Sequence, residues 1–235
     1  MREEARKKIL FDLDDTILDF RTAERNSILQ AFEEFGIPSD EAVLRRYSEI
    51  NLGCWQRLEL GEMTREEVLV GRFERLFAEM GLDLPARPVQ DRYEALLESG
   101  HYFIPGAPEL LEELVLKYDL YLISNGNLVT QESRLKSAGI APYFRDIFIS
   151  EQIGANKPSK AFFDACFSAI PGFCREDAVI VGDSLSSDIR GGINAGVRTC
   201  WFNPDGAPAA GDIRPDYEFR TLSELPALLE KIFQK

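Results

Sequence analysis

The sequence predicts an α/β protein, a parallel sheet with helices on both faces, interrupted by an all-helical insertion. Three observations carry this. From Pro105 onward, short apolar strand-like runs alternate with amphipathic helix-like segments, the pattern of a parallel sheet covered by helices. Between about residue 20 and residue 102, nothing reads as a strand. The apolar runs also end in acidic or small polar residues, as strands do at the ligand-binding edge of an open sheet.

Lys7 to Leu13 is nearly continuous in apolar character at its end, as a strand buried on both faces should be. Beyond Asp19 the period changes: Ile28, Ala31, Phe32 and Phe35 follow helical spacing, and Gly36 and Pro38 mark a stop. Thr64 and Glu67 form a capping-box pattern ahead of Leu69, Phe73, Leu76, Phe77 and Met80, with Gly81 just past the end. "VQDRYEALLESG" is a further helix. Then come a helix in "LLEELVLKY", a strand in "DLYLISNG", a helix in "VTQESRLKSAG" and a strand in "DIFIS". A helix in "KAFFDACFSAI", a strand in "DAVIVGDS" and a helix in "SSDIRGGINAG" follow. "VRTCWF" and the helix "LSELPALLEKIF" close the series. The chain therefore divides into a core of residues 1–18 and 103–235 and a helical insertion of residues 19–102.

Composition narrows the function. A net charge of −13 argues against a nucleic-acid polymer as ligand and against an anionic membrane surface. Cys54, Cys166, Cys174 and Cys200 form no C-x-x-C pair, which fits free thiols in a reducing cytoplasm better than a disulfide framework or a zinc site. The stretch "MREEARKKIL" lacks the apolar run of a signal peptide. No segment approaches the ~18 apolar residues that span a bilayer. A cytoplasmic protein is expected.

The strand ends carry the chemistry. "DLDDT" supplies Asp12, Asp14 and Thr16, and "SNGN" supplies Ser124, Asn125, Gly126 and Asn127. "NKPSK" supplies Lys157, and "VGDSLSSD" supplies Asp183 and Asp188. A lone D-x-D is usually a turn or a helix cap. Four such motifs in this order, each at a strand end or in the loop after one, are not a run of turns.

In these motifs the chain resembles the haloacid dehalogenase-like hydrolases, a superfamily of aspartate-nucleophile phosphatases. The resemblance covers the core on both sides of the insertion. It implies a Rossmann-like core with a helical cap inserted after the first motif. It also implies that Asp12 attacks phosphorus and that Asp14 protonates the leaving group and then activates water. Mg²⁺ would be held by Asp12, the backbone carbonyl of Asp14 and Asp183. Ser124 and the backbone N–H groups of Asn125 and Gly126 would bind phosphate oxygens, and Lys157 would neutralise them further. Asp188 would orient Lys157 or a water on the metal. The residue chemistry agrees, since an ordinary aspartate (pKa ~3.9) is ionised at neutral pH and needs no base to activate it.

Within the superfamily, Asp14 argues against a dehalogenase, a subgroup that lacks this second aspartate. The filled motifs argue against a non-catalytic regulator. A sugar-phosphate mutase or a broad sugar-phosphate phosphatase keeps both aspartates and stays open. "FDLDDTILDF", "SNGNLVTQESRL", "NKPSKAFFD" and "INLGCWQRLELGEMTREE" resemble the pyrimidine 5′-nucleotidases. That resemblance implies a nucleoside monophosphate as substrate, with Trp55 of the insertion as a residue that could stack on the base.

Overall fold

The computed structural model describes residues 6–209 and 211–234. Residues 1–5, which enter the signal-peptide argument, lie outside the described residues. The chain forms two compact units, one running to Asp19 and resuming at His101, the other spanning Phe20–Gly100. Asp19, His101 and Tyr102, which the sequence reading assigns to the insertion, thus fall with the sheet unit. The reason is local: the Asp19 N–H donates to the Tyr102 carbonyl at 2.8 Å, and Leu18 forms an antiparallel bridge with Phe103.

The Phe20–Gly100 unit contains four helices: α1 (Phe20–Phe35), α2 (Glu41–Glu59), α3 (Arg65–Met80) and α4 (Ala86–Leu97). Their starts and stops follow from short-range chemistry. Asp40 caps α2 by accepting from the Ala42 and Val43 N–H groups, and Thr64 and Glu67 close a reciprocal capping box on α3. Gly81 ends α3 in the left-handed conformation at φ 68°, where a Cβ would be strained. The apolar stripes of the four helices meet in one cluster whose centre is aromatic. Phe32, Tyr47, Phe73 and Tyr93 are all buried there, with ring centroids 5.3–6.4 Å apart.

The other unit is built on six parallel strands: β1 (Lys8–Phe11), β2 (Asp119–Ser124), β3 (Phe144–Ile149), β4 (Ala178–Gly182), β5 (Arg198–Phe202) and β6 (Tyr217–Phe219). Their order across the sheet is β3-β2-β1-β4-β5-β6. The helices are α5 (Ala107–Leu114), α6 (Leu128–Ala138), α7 (Ser150–Ile153), α8 (Lys160–Ala169), α9 (Arg190–Ala195) and α10 (Leu225–Phe233). Side chains alternate across a strand, so a continuous apolar run feeds two cores. Ile9 and Phe11 of β1 join Leu122, Val181 and the α5 and α10 leucines Leu111 and Leu229, while Leu10 joins Ile123, Ile180 and Phe162 and Phe163 of α8. Each fully buried Leu, Ile or Phe contributes about 1.5–3 kcal/mol, which is why the central strands carry little else.

Candidate active site

The register pairs Phe11 of β1 with Leu122 of β2 and Val181 of β4. One rung further on, at the carboxyl edge, stand Asp12, Ile123 and Gly182. The Asp12 N–H still donates to the Val181 carbonyl at 2.9 Å, so its carboxylate is placed by the sheet itself. The chain then turns sharply. The Ile17 and Leu18 N–H groups both donate to the Leu13 carbonyl, and Asp15 adopts φ 57°, a left-handed conformation that Asp tolerates better than most residues.

Lys157 organises the centre. Its Nζ donates to Asp12 Oδ1 at 2.6 Å, to Asp188 Oδ1 at 2.7 Å and to the Ile123 carbonyl at 3.0 Å, using all three of its protons. Asn125 pins the Lys157 backbone on both sides: its Nδ2 donates to the Lys157 carbonyl at 3.0 Å, and its Oδ1 accepts from the Lys157 N–H at 2.8 Å. Asp188 is fully buried, and its second oxygen accepts from the Ser184 N–H at 3.1 Å. Gly182 makes room for it, since a Cβ there would lie 2.3 Å from Asp188 Oδ2. The loop that carries Asp183 is tied down by Trp201, whose Nε1–H donates to the Asp183 carbonyl at 2.8 Å.

Asp12, Asp183 and Asp188 each offer a carboxylate oxygen, and these oxygens all lie within 4.8 Å of one another. Burial raises the Asp12 carboxyl to about 8; Lys157 opposes this, and Asp188 and Asp14 add to it. Burial likewise holds Asp183 well above the usual carboxylate range, with Asp12, Asp188 and Asp15 adding to it. For Lys157, burial works against its charge, but Asp12 and Asp188 outweigh it and hold the ammonium above the usual lysine range. The expectation that Asp12 is ionised at neutral pH as an ordinary aspartate thus does not hold for the site by itself: fully ionised, its three carboxylates would outnumber the one ammonium by two charges. An all-oxygen donor set with that imbalance suits a divalent cation such as Mg²⁺.

The Asp14 carboxylate points into a different set of partners. Its Oδ1 accepts from Arg134 and its Oδ2 from Gln131, both on α6. Gln131 also donates to Ser124 Oγ at 2.8 Å, which joins the first and second motifs. The sequence reading missed Gln131 and Arg134. The available signal was the buried face of α6, residues 130, 131, 134 and 135, which carries Thr, Gln, Arg and Leu where apolar residues would be ordinary.

Part of the expected phosphate cradle is already engaged. The Gly126 N–H donates to Ser124 Oγ at 3.1 Å, and the Leu128 N–H at the start of α6 donates to Glu151 Oε2 at 2.6 Å. Trp55 lies on α2 in the helical unit. It is half-buried against the aromatic cluster, and the Arg65 guanidinium sits 5.8 Å from its ring centroid. His101, the single histidine, is hydrogen-bonded through Nδ1 to Ser137 Oγ at 2.7 Å.

Among curated proteins the chain is similar to the HAD-hydrolase YfnB of Bacillus subtilis, at 44% identity over 95% of both chains. It is 37% identical to the pyrimidine 5′-nucleotidase PynA of Streptococcus pneumoniae, covering 96% of this chain and 95% of that one. The pyrimidine 5′-nucleotidase YjjG of Escherichia coli is 30% identical, with 95% and 97% covered. The crystal structure of Bacillus subtilis YfnB bound to magnesium superimposes with a TM-score of 0.92 at 42% identity, covering 97% of this chain and 100% of that chain. With a match to the family model described as "Haloacid dehalogenase-like hydrolase" over residues 9–202, this chain belongs to the haloacid dehalogenase-like hydrolase family.

Proposed function

We propose that the protein is a Mg²⁺-dependent phosphatase that hydrolyses small phosphomonoesters through an aspartyl-phosphate on Asp12, and that its substrates are nucleoside 5′-monophosphates, pyrimidines before purines. The observation that carries the chemistry is the buried Asp12–Lys157–Asp188 chain beside Asp183. The substrate class is supported by the two relatives named as pyrimidine 5′-nucleotidases, matched over nearly the whole chain.

Asp12 presents one oxygen to Lys157 and the other to phosphorus. Attack forms the Asp12 O–P bond and breaks the P–O bond to the leaving group, which departs as an alcohol by taking a proton from Asp14. A water then gives a proton back to Asp14 and attacks the phosphorus, releasing inorganic phosphate and regenerating Asp12. Ser124 Oγ holds a phosphoryl oxygen through both steps, and the Lys157 ammonium, its protons engaged by Asp12, Asp188 and the Ile123 carbonyl, offsets phosphate charge by its field. Asp12, Asp183 and the Asp14 carbonyl would hold Mg²⁺, which when bound would supply positive charge between the carboxylates and the phosphate. Asp188 keeps Lys157 aimed, and Asn125 fixes the loop that carries it. Gly126 closes the Ser124 turn, and Trp55 is the base-stacking residue of the helical unit.

A small phosphorylated metabolite in the cytoplasm is thus the partner, and the four free cysteines fit that compartment. No helix of the described residues is long and apolar enough to cross a membrane. The test is a screen of phosphorylated metabolites with the purified protein and Mg²⁺, together with trapping of a hydroxylamine-sensitive phosphoryl adduct. Asp12→Asn should give neither turnover nor adduct. Sugar phosphates outrunning every nucleotide would overturn the nucleotidase assignment, and an active Asp12→Asn protein would overturn the mechanism.

A further inference from the structure

Gln131 and Arg134 lie outside all four motifs, yet both reach into the site. They sit three residues apart on α6, at 2% and 0% exposure. Arg134 Nη1 donates to Asp14 Oδ1 at 2.5 Å and to Gln131 Oε1 at 2.8 Å. Gln131 Nε2 donates to Asp14 Oδ2 at 2.7 Å and to Ser124 Oγ at 2.8 Å. Each oxygen of Asp14 therefore has its own donor, and a single amide spans Asp14 and Ser124. The loop is shaped around this amide: a Cβ on Gly126 would lie 2.5 Å from Gln131 Nε2 and 2.6 Å from its Cγ and Cδ.

Packing does not explain the pair. A buried guanidinium carries a desolvation penalty that an apolar residue on the same helix face would avoid. Here that guanidinium is directed at a carboxylate whose side chain keeps 28% exposure and is not one of the Asp12–Asp183–Asp188 group. Arg offers a rigid planar fork, and Gln offers a donor and an acceptor on one plane, so together they fix direction as well as distance.

We propose that Gln131 and Arg134 are positioning residues for the reaction. From one helix they set the orientation of Asp14 toward the leaving oxygen and of Ser124 toward the phosphoryl oxygen. The inference rests on the role given to Asp14 under the proposed function. A misplacement of about 1 Å at such a group costs about 10²-fold in rate. The two residues divide the work: Arg134 holds Asp14 and Gln131, whereas Gln131 also holds Ser124.

The experiment measures kcat and KM for an alkyl phosphomonoester and for an aryl phosphomonoester with a good leaving group. Arg134→Met should lower kcat on the alkyl ester by about 10²-fold, lower it far less on the aryl ester, and leave KM unchanged. Gln131→Met should show the same kcat pattern and raise KM for both esters, because Ser124 loses its donor. Gly126→Ala keeps both side chains but displaces Gln131, and should reproduce the Gln131 pattern. These two variants decide the matter should Arg134→Met fail to fold. In an Asp14→Ala background, the changes at 131 and 134 should add little further loss of kcat. Equal losses on both esters, or full additivity with Asp14→Ala, would overturn the positioning role. An Asp14→Ala protein that treats both esters alike would instead overturn the acid role of Asp14, and additivity between positions 14 and 134 would still decide whether the pair positions it.

Discussion

Lys157 donates a 2.6 Å hydrogen bond to Asp12 from 145 residues further along the chain. Both groups are buried, and the same ammonium holds Asp188 at 2.7 Å. A lysine so placed does more than bring a positive charge to the site: it holds one oxygen of Asp12 and so sets the orientation of that carboxylate. The sequence reading gave Lys157 the phosphate alone, and the geometry adds this second task.

Lys157→Met keeps most of the stem and removes the charge, leaving two buried carboxylates without their cation. Breaking a buried pair by deleting one partner typically costs about 3–5 kcal/mol. Urea denaturation at pH 8 in EDTA should show a loss of that order. The loss should shrink at pH 5, where the orphaned carboxylates take up protons. A variant as stable as wild type at pH 8 would mean that the bridge contributes nothing to the fold.

The raised carboxylates predict an unusual stability profile for the metal-free protein. Asp12 titrates near 3.8 when unfolded and near 8 when folded, so the folded state binds its proton more tightly across that window. Stability is then fully present below about pH 4 and is lost as pH rises through about 8; Asp183 acts in the same direction. The surface carboxylates held low by arginines, Glu34, Glu41 and Asp212, act oppositely but only in the acid range, as pH falls through their lowered values. Thermal midpoints in EDTA should therefore fall from pH 5 to pH 8. Mg²⁺ should raise the midpoint more at pH 8 than at pH 5, because metal and proton compete for the same oxygens. A Mg²⁺ effect independent of pH would place the ion elsewhere.

How much of this was legible in advance varies with the physical origin of each feature. β1, β2 and β4 were readable because a strand buried on both faces has no choice but to be apolar, and Asp12 and Asp183 mark where that requirement ends. The α3 boundaries were readable because Thr64, Glu67 and Gly81 act within one turn of themselves. The α2 helix was harder to read: its stripe is broken by Gly53 and by the buried Asn51, which accepts from the buried Arg72 at 2.7 Å. The three-residue β6 is too short for periodicity to register. Gln131 and Arg134 were missed because their partner, Asp14, lies 117 and 120 residues away. No local pattern records a contact at that range, and only the polarity of a buried helix face hints at it.

Gly182 offers a test that changes no functional group. Its added methyl in Gly182→Ala would meet Asp188 Oδ2 at 2.3 Å and Cγ at 2.4 Å, and Asp188 has no slack, being held by Lys157 and by the Ser184 N–H. Overpacking of this kind costs about 1–3 kcal/mol. Displacing Asp188 should also misaim Lys157, so kcat should fall while the circular dichroism spectrum stays native. Unchanged kinetics would show that Asp188 can move without consequence for Asp12.

Substrate discrimination should rest on the helical unit, because the strand-end motifs supply groups only for phosphate and metal. Trp55 presents a large aromatic surface of which only part is taken up by the α2–α3 packing and the Arg65 guanidinium. Base–aromatic stacking is worth about 1–3 kcal/mol, so Trp55→Ala should lower kcat/KM for a pyrimidine nucleoside monophosphate by roughly 5- to 150-fold on that energy scale. The same variant should hydrolyse a simple aryl phosphate at nearly the wild-type rate, since no base is present to lose its contact. Nucleoside di- and triphosphates should be poor substrates for both proteins, because a pocket for a single phosphate leaves little room for a second one. Equal losses on the nucleotide and the aryl ester, with a lowered thermal midpoint, would assign Trp55 to the packing of the helical unit instead.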